Sequence, residues 1–275
     1  MHRPDPKSLV SFFSRALTSF QSSSDAFRVL CTLPHANDGE SPAPRRPAGP
    51  VSNLVVLDSS FNPPTRAHAS MARAALKVDA EAKEGTRRLV LLLSVNNADK
   101  APKPASFPVR LGMMDAMGRQ LLEATGTAGV EIDVAVTTLP YFHDKARAMA
   151  QAGVYGTPPT TTFLAGFDTL ERILDGKYYG GAEGMQRARG PFFAGGARLR
   201  VTARGGGGTG AQRAWAAREA GEWAARVEVV EAGAEEDGVS SSRVREVVRQ
   251  GGGGVREMVG EEVEAWIERE GLYRG

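Results

Sequence analysis

Between residues 54 and 270 the chain alternates short apolar runs with segments whose apolar residues fall at helical spacing. Leu54–Leu57, Leu89–Val95, Val130–Val136, Thr161–Ala165, Leu199–Thr202 and Val227–Val230 read as strands. Helices are expected over 67–78, 109–123, 168–174, 211–221, 241–249 and 258–270, with Leu111, Met114, Met117, Leu121 and Leu122 forming the inward stripe of the second. Parallel strands need crossover helices, and those helices cover the sheet. The alternation therefore predicts an α/β fold with a mostly parallel sheet and helices on both faces. In such a sheet ligands gather outside the carboxyl ends of the strands.

The two ends and the interruptions read differently. Leu9, Phe12, Phe13, Ala16, Leu17 and Phe20 lie at helical spacing, followed by the strand-like Phe27–Cys31. A mitochondrial presequence shares that spacing, with Lys7 and Arg15 around it. Asp5, Asp25 and the strand favour instead a helix and strand, residues 1–32, docked on the core. Residues 33–50, rich in Pro, Gly and charge, read as a mobile linker to a main domain at 51–275. The glycine-rich stretches 177–196 and Gly205–Gly208 read as flexible loops.

Charge narrows the partners. The 34 Lys+Arg and 32 Asp+Glu leave a formal net charge of +2, and no cationic stripe stands out. Duplex nucleic acid requires several clustered cations, whereas a small anionic ligand needs only a few. Cys31 is the single cysteine, which rules out an intrachain disulfide and a cysteine zinc cluster. The most apolar run, Leu89–Leu93, is too short to cross a bilayer. We expect a soluble intracellular protein with no nucleic-acid or membrane partner; self-association stays open.

Two stretches carry chemistry. In VVLDSSFNPPTRAHASMARAAL a strand, a turn and a helix follow one another directly. Asn62-Pro63-Pro64 enforces an extended turn, because Pro64 keeps Pro63 out of the α region. Thr65 and His68 then share one side of the first helical turn, where free N–H groups and the dipole favour an anion. In VSSSRVR, near the other end, Ser240–Ser242 open a helix with Val244, Val247 and Val248 inward and Arg245 one turn along. Hydroxyls and a guanidinium so spaced suit a polyphosphate. Taken alone, each also reads as a capped helix start with polar surface residues.

Together they resemble a known family. SSFNPPTRAH is similar to the signature of the HxGH nucleotidyltransferase superfamily in its nicotinamide mononucleotide (NMN) adenylyltransferase form, whose eukaryotic members carry Thr-x-x-His. Thr65 and His68 match those positions, and Ser59 stands where the family has glycine. VSSSRVR resembles the family's ISSTxxR, and VGEEVEAWIEREGLY resembles its final helix. SVNNADK resembles the segment whose lysine reaches the phosphates, which points to Lys100, with Lys103 as the fallback. Arg110 and Met113 match the following helix start. LAGFDTLERI resembles the GxD motif, giving Gly166 and Asp168, although Asp168 and Glu171 also spell a local capping box. Arg204 matches an arginine near adenine.

The resemblance spans roughly residues 54–273 and implies a Rossmann-like nucleotidyltransferase fold in a diverged member of the eukaryotic type. It implies transfer of the adenylyl group of ATP to NMN in NAD biosynthesis, with Mg2+ carried mainly by phosphate oxygens and water. His68, Thr65, Lys100 and Arg245 would be catalytic. Ser60, Phe61, Gly166, Asp168, Arg204, Ser241 and Ser242 would bind the nucleotide, and no protein metal site is expected. The compartment implied is cytoplasm or nucleus. One departure is clear: after strand Val130–Val136 the family has a tryptophan that stacks on nicotinamide, and here VAVTTLPYF offers only Tyr141 or Phe142. Another phosphate acceptor, such as a pantetheine phosphate, therefore stays open, and Ser59 with the glycine-rich insertions leaves open a diverged regulatory module that binds or hydrolyses ATP.

Overall fold

The computed structural model describes residues 5–35, 42–81, 86–95, 104–125, 130–156, 159–204, 208–233 and 238–274. Helix α1 (Pro6–Gln21) leads into β1 (Phe27–Leu33), and β2 (Val51–Asp58) is followed by α2 (Arg66–Glu81). Then come β3 (Thr86–Ser94), α3 (Phe107–Thr125), β4 (Glu131–Thr137), α4 (Phe142–Gln151), β5 (Thr160–Gly166) and α5 (Phe167–Leu174). The remainder is α6 (Ala182–Ala194), β6 (Ala197–Thr202), α7 (Thr209–Ala220), β7 (Val227–Val230), α8 (Ser241–Arg249), α9 (Val255–Met258) and α10 (Glu261–Arg269).

Among the described residues seven strands form one sheet in the order β1-β4-β3-β2-β5-β6-β7. Every pairing is parallel except that of β1 with β4, which is antiparallel. The strands divide their side chains with period two. Val55, Leu57, Leu89, Leu91 and Leu93 enter a core with α1, α2, α3, α8 and α10. Leu54, Val56, Val90 and Leu92 enter the opposite core with α4, α5, α6 and α7. Both faces of the sheet thus carry helices, as the apolar runs require. The chain leaves β2 for β3 on one side and returns to β5 on the other, so the strand order reverses between β2 and β5. Crevices form at such reversals.

Helix α1 belongs to this core. Asp5 caps it by accepting from the Ser8 N–H at 3.0 Å, Pro6 occupies its first turn, and Leu9, Phe13, Leu17 and Phe20 are buried. Its neighbour α3 carries two glycines where other chains press close. A Cβ on Gly112 would lie 2.6 Å from the Trp266 ring, and one on Gly118 would lie 2.5 Å from Leu33. Those glycines let α10 and β1 seat against α3.

Several sequence expectations are corrected. The described end of the 33–50 segment is tied down rather than mobile. Thr32 N–H donates to the Ala43 carbonyl (3.0 Å), and Arg45 N–H donates to Thr32 Oγ1 (2.9 Å). The Arg45 side chain donates to Glu131 (2.7 Å), which also accepts from the buried Arg88 (2.6 Å). The glycine-rich 177–196 stretch is largely helical, since it holds α6 despite Pro191; Phe192 and Phe193 bury themselves and supply the driving force. Helix α4 escapes the hydrophobic periodicity because one of its inward positions is a lysine, Lys145. The helix expected over 258–270 breaks at Val259, whose side chain is buried while its backbone turns extended. Residues 205–207 lie outside the described residues.

Phe13 is fully buried, so Phe13→Ala should cost about 3–5 kcal/mol of unfolding free energy. Chemical denaturation measures this directly. A loss near zero would mean that α1 is dispensable to the core.

Candidate active site

A cleft of about 510 Å³ opens at the carboxyl ends of β2, β5 and β6. Its walls are Leu57–Ser59, Thr65 and His68 on one side and Leu164–Thr169 and Thr202–Arg204 on the other, with Gly238–Ser241 at the start of α8 closing it. Of the residues singled out in the sequence, it gathers His68, Thr65, Gly166, Asp168, Arg204 and Ser241.

The loop after β2 is built for close approach. Ser59 N–H donates to the Leu92 carbonyl of β3 (3.2 Å). Phe61 adopts a φ of 45°, in the left-handed region, while its ring is fully buried and lies 5.3 Å from the His68 ring. That backbone costs about 1–2 kcal/mol for a non-glycine residue, and burial of the ring offsets it. Thr65 precedes α2, and its carbonyl accepts from Ala69 N–H (3.2 Å), as the residue before a helix does.

His68 is held at both nitrogens. Thr65 N–H donates to Nδ1 at 3.1 Å, and Thr65 Oγ1 lies 2.7 Å from the same atom. An Nδ1 that accepts from a backbone amide carries no proton, so Nε2 is the protonated nitrogen and donates to Ser59 Oγ at 2.8 Å. Burial lowers the imidazole pKa to about 4, so the ring is neutral at physiological pH.

The second motif meets the first across the chain. Ser240 caps α8, its Oγ accepting from Arg243 N–H at 3.2 Å. Ser241 Oγ donates to the Pro63 carbonyl (2.7 Å), and Arg245 donates to the Asn62 carbonyl (2.7 Å) and to Ser242 Oγ (3.1 Å). Tyr273 O–H donates to Asn62 Oδ1 at 2.9 Å, and its own pKa is pushed up by burial. The Arg245 guanidinium therefore grips the loop's backbone and lies outside the lining residues of the cleft. Ser242, its acceptor, is likewise outside the lining residues. Ser60 is exposed, with its carbonyl 3.5 Å from Arg110. Lys100 and Lys103 lie outside the described residues.

On the far wall Asp168 and Glu171 both pair with Arg204, the latter at 3.0 Å. The expected capping box is not formed: Gly166 is the residue before α5, so Asp168 already sits inside its first turn. Gln212 clamps the Arg204 backbone through two 3.0 Å hydrogen bonds. These ion pairs are exposed, hence weak and readily displaced by a ligand hydroxyl.

Sequence reasoning missed two residues here. Asp58, at the end of β2, lines the cleft and pairs with Lys145 of α4, and both side chains are almost fully buried. Burial raises the Asp58 carboxyl pKa, against the opposing pull of Lys145. An acidic residue at a strand's carboxyl end was a usable signal for Asp58. Nothing local marks Lys145.

Beside β4, the two candidates for the absent tryptophan part ways. Phe142 turns inward against Phe163, ring centroids 5.4 Å apart. Tyr141 is 40% exposed and forms an aromatic cluster with His143 (5.6 Å, stacked) and Tyr179 (6.0 Å).

Known proteins bear on this geometry. No family model matches the chain. A Schizosaccharomyces pombe protein named as a candidate nicotinamide mononucleotide adenylyltransferase is 39% identical over 140 residues, 51% of this chain and 49% of that protein. The chain thus matches about half the length of this curated relative. The Plasmodium falciparum nicotinic acid mononucleotide adenylyltransferase complexed with APC superposes with a TM-score of 0.56 at 12% identity, covering 81% of this chain and 97% of that one. The same enzyme complexed with NaAD gives 0.55 at 13% identity, with the same coverage. The chain shares the Rossmann-like fold of these structures, and about half of its length is similar in sequence to the S. pombe protein.

Because its folded pKa sits below that of a free imidazole, His68 should remain unprotonated as pH falls to about 5. The unfolded chain takes up that proton near pH 6.5, so this group's contribution to stability should fade as pH drops from about 6.5 to 4. Imidazole NMR titration checks it; a His68 signal titrating near 6.5 would refute the assignment.

Proposed function

We propose that this chain is an adenylyltransferase that moves the AMP moiety of ATP onto the 5′-phosphate of a pyridine mononucleotide, releasing pyrophosphate. The carrying observation is the junction of the two motifs, where Ser241 and Arg245 bond to the carbonyls of Pro63 and Asn62. One cleft is thereby bounded by His68 and by the amino end of α8. The S. pombe relative and the P. falciparum complexes with APC and NaAD support the same substrate class.

In the reaction a phosphate oxygen of the acceptor attacks the α-phosphorus of ATP as the bond to the bridging α–β oxygen breaks. The acceptor phosphate is already ionised, so no protein base is required. Catalysis rests on alignment and on donors aimed at the charge that builds on the leaving pyrophosphate. His68 and Thr65 line the cleft on the side assigned to the α-phosphate. The α8 amino end with Ser241 takes the β,γ end, assisted by Lys100, while Arg245 acts by fastening the loop. Asp168 accepts from a ribose hydroxyl, and Arg204 borders the adenine. Asp58 and Asp168 are already engaged by Lys145 and Arg204, so Mg2+ is assigned to phosphate oxygens and water.

NMN is the acceptor we favour, with its ring on the Tyr141 face. A tyrosine face attracts a cationic pyridinium.

Three measurements test this. Purified protein given Mg-ATP with NMN, nicotinate mononucleotide or a pantetheine phosphate should release pyrophosphate and form a dinucleotide with a pyridine mononucleotide. ATP hydrolysis with no dinucleotide from any acceptor would sink the proposal and favour an ATP-binding regulatory role. His68→Ala should lower turnover by about 100-fold or more with the fold retained. Tyr141→Ala should raise the acceptor KM by about 5- to 20-fold and leave that of ATP unchanged.

A further inference from the structure

Both nitrogens of the His68 imidazole are engaged within the chain. Nδ1 accepts from Thr65 and Nε2 donates to Ser59 Oγ. Ser59 itself lines the cleft. Its oxygen accepts a hydrogen bond from the imidazole N–H, and the hydroxyl keeps its own hydrogen to donate. The position is firmly held: Ser59 N–H is bonded to β3, the preceding Asp58 is anchored to α4 through Lys145, and Phe61 packs near the imidazole.

We propose that Ser59 is the phosphate-contacting donor of this site, with its hydroxyl interposed between His68 and the phosphate transferred. The inference rests on the cleft being a triphosphate site. Ser59 is not a nucleophile; it keeps its proton and forms no bond to phosphorus. His68 acts through it: the imidazole N–H polarises the hydroxyl and fixes its direction, which strengthens the bond it donates. Charge developing on the phosphate oxygens is then met by a donor that needs no reorientation. His68 is on this account a positioning residue, and the hydroxyl is the group in contact.

The test compares wild type with Ser59→Ala, Ser59→Gly and Ser59→Thr in two assays: steady-state adenylyl transfer, and Mg-ATP binding by calorimetry without acceptor. Ser59→Ala and Ser59→Gly should each lower kcat by about 10- to 100-fold with a smaller change in the ATP KM. Ser59→Thr, which keeps a hydroxyl, should stay within a few-fold of wild type, a rescue that loss of packing would not give. Ser59→Gly at or above wild-type kcat would overturn the inference, since the hydroxyl would then merely occlude His68. A wild-type protein that forms no dinucleotide sinks the transferase reading alone. Ser59 is in that event judged by Mg-ATP affinity: a tenfold loss in Ser59→Ala upholds it, and equal affinity, or no binding by wild type, overturns it.

Discussion

Asn62 joins two parts of the chain that are nearly two hundred residues apart. Its carbonyl accepts from Arg245 at 2.7 Å and its side-chain oxygen accepts from Tyr273 at 2.9 Å. The loop after β2 is thereby held by the C-terminal helices, with Ser241 on Pro63 as the next rung. These bonds, together with burial of the Phe61 ring, hold the left-handed backbone at Phe61 in place. The geometry of the cleft follows from that clamp.

The clamp also governs charge. The half-buried Arg245 guanidinium bonds to the Asn62 carbonyl and to Ser242 Oγ, which places its charge beside the loop without a direct contact to the cleft. The same economy appears at Asp58. A carboxylate on the floor of a phosphate cleft would repel its ligand, and Lys145 offsets that charge from behind. Breaking such a buried pair from one side leaves an uncompensated ion, which costs far more than the pair contributes. The N-terminal segment is secured in a comparable way, through Arg45 and Arg88 on Glu131.

How much of this could be read beforehand varied with the range of the interaction. Strand β7 was read at its observed limits and the helix at Ser241–Arg249 likewise, because period and capping are local properties. Helix α6 was taken for a loop because its glycines and Pro191 outweigh, in a local reading, the burial of Phe192 and Phe193 that tertiary packing rewards. The capping box at Asp168 failed by a shift in where the helix begins, which the β5 ladder decides by running to Gly166.

The amino-acid sequence by itself determined the alternation of strand and helix, the parallel character of the sheet, and the residue types at both motifs. Each of these depends on spacing between near neighbours. The tertiary structure alone decided that Arg245 turns to a carbonyl and that Asp58 meets Lys145. Those outcomes depend on which donors and acceptors are brought together when distant segments bury a common core, and no local pattern encodes that meeting.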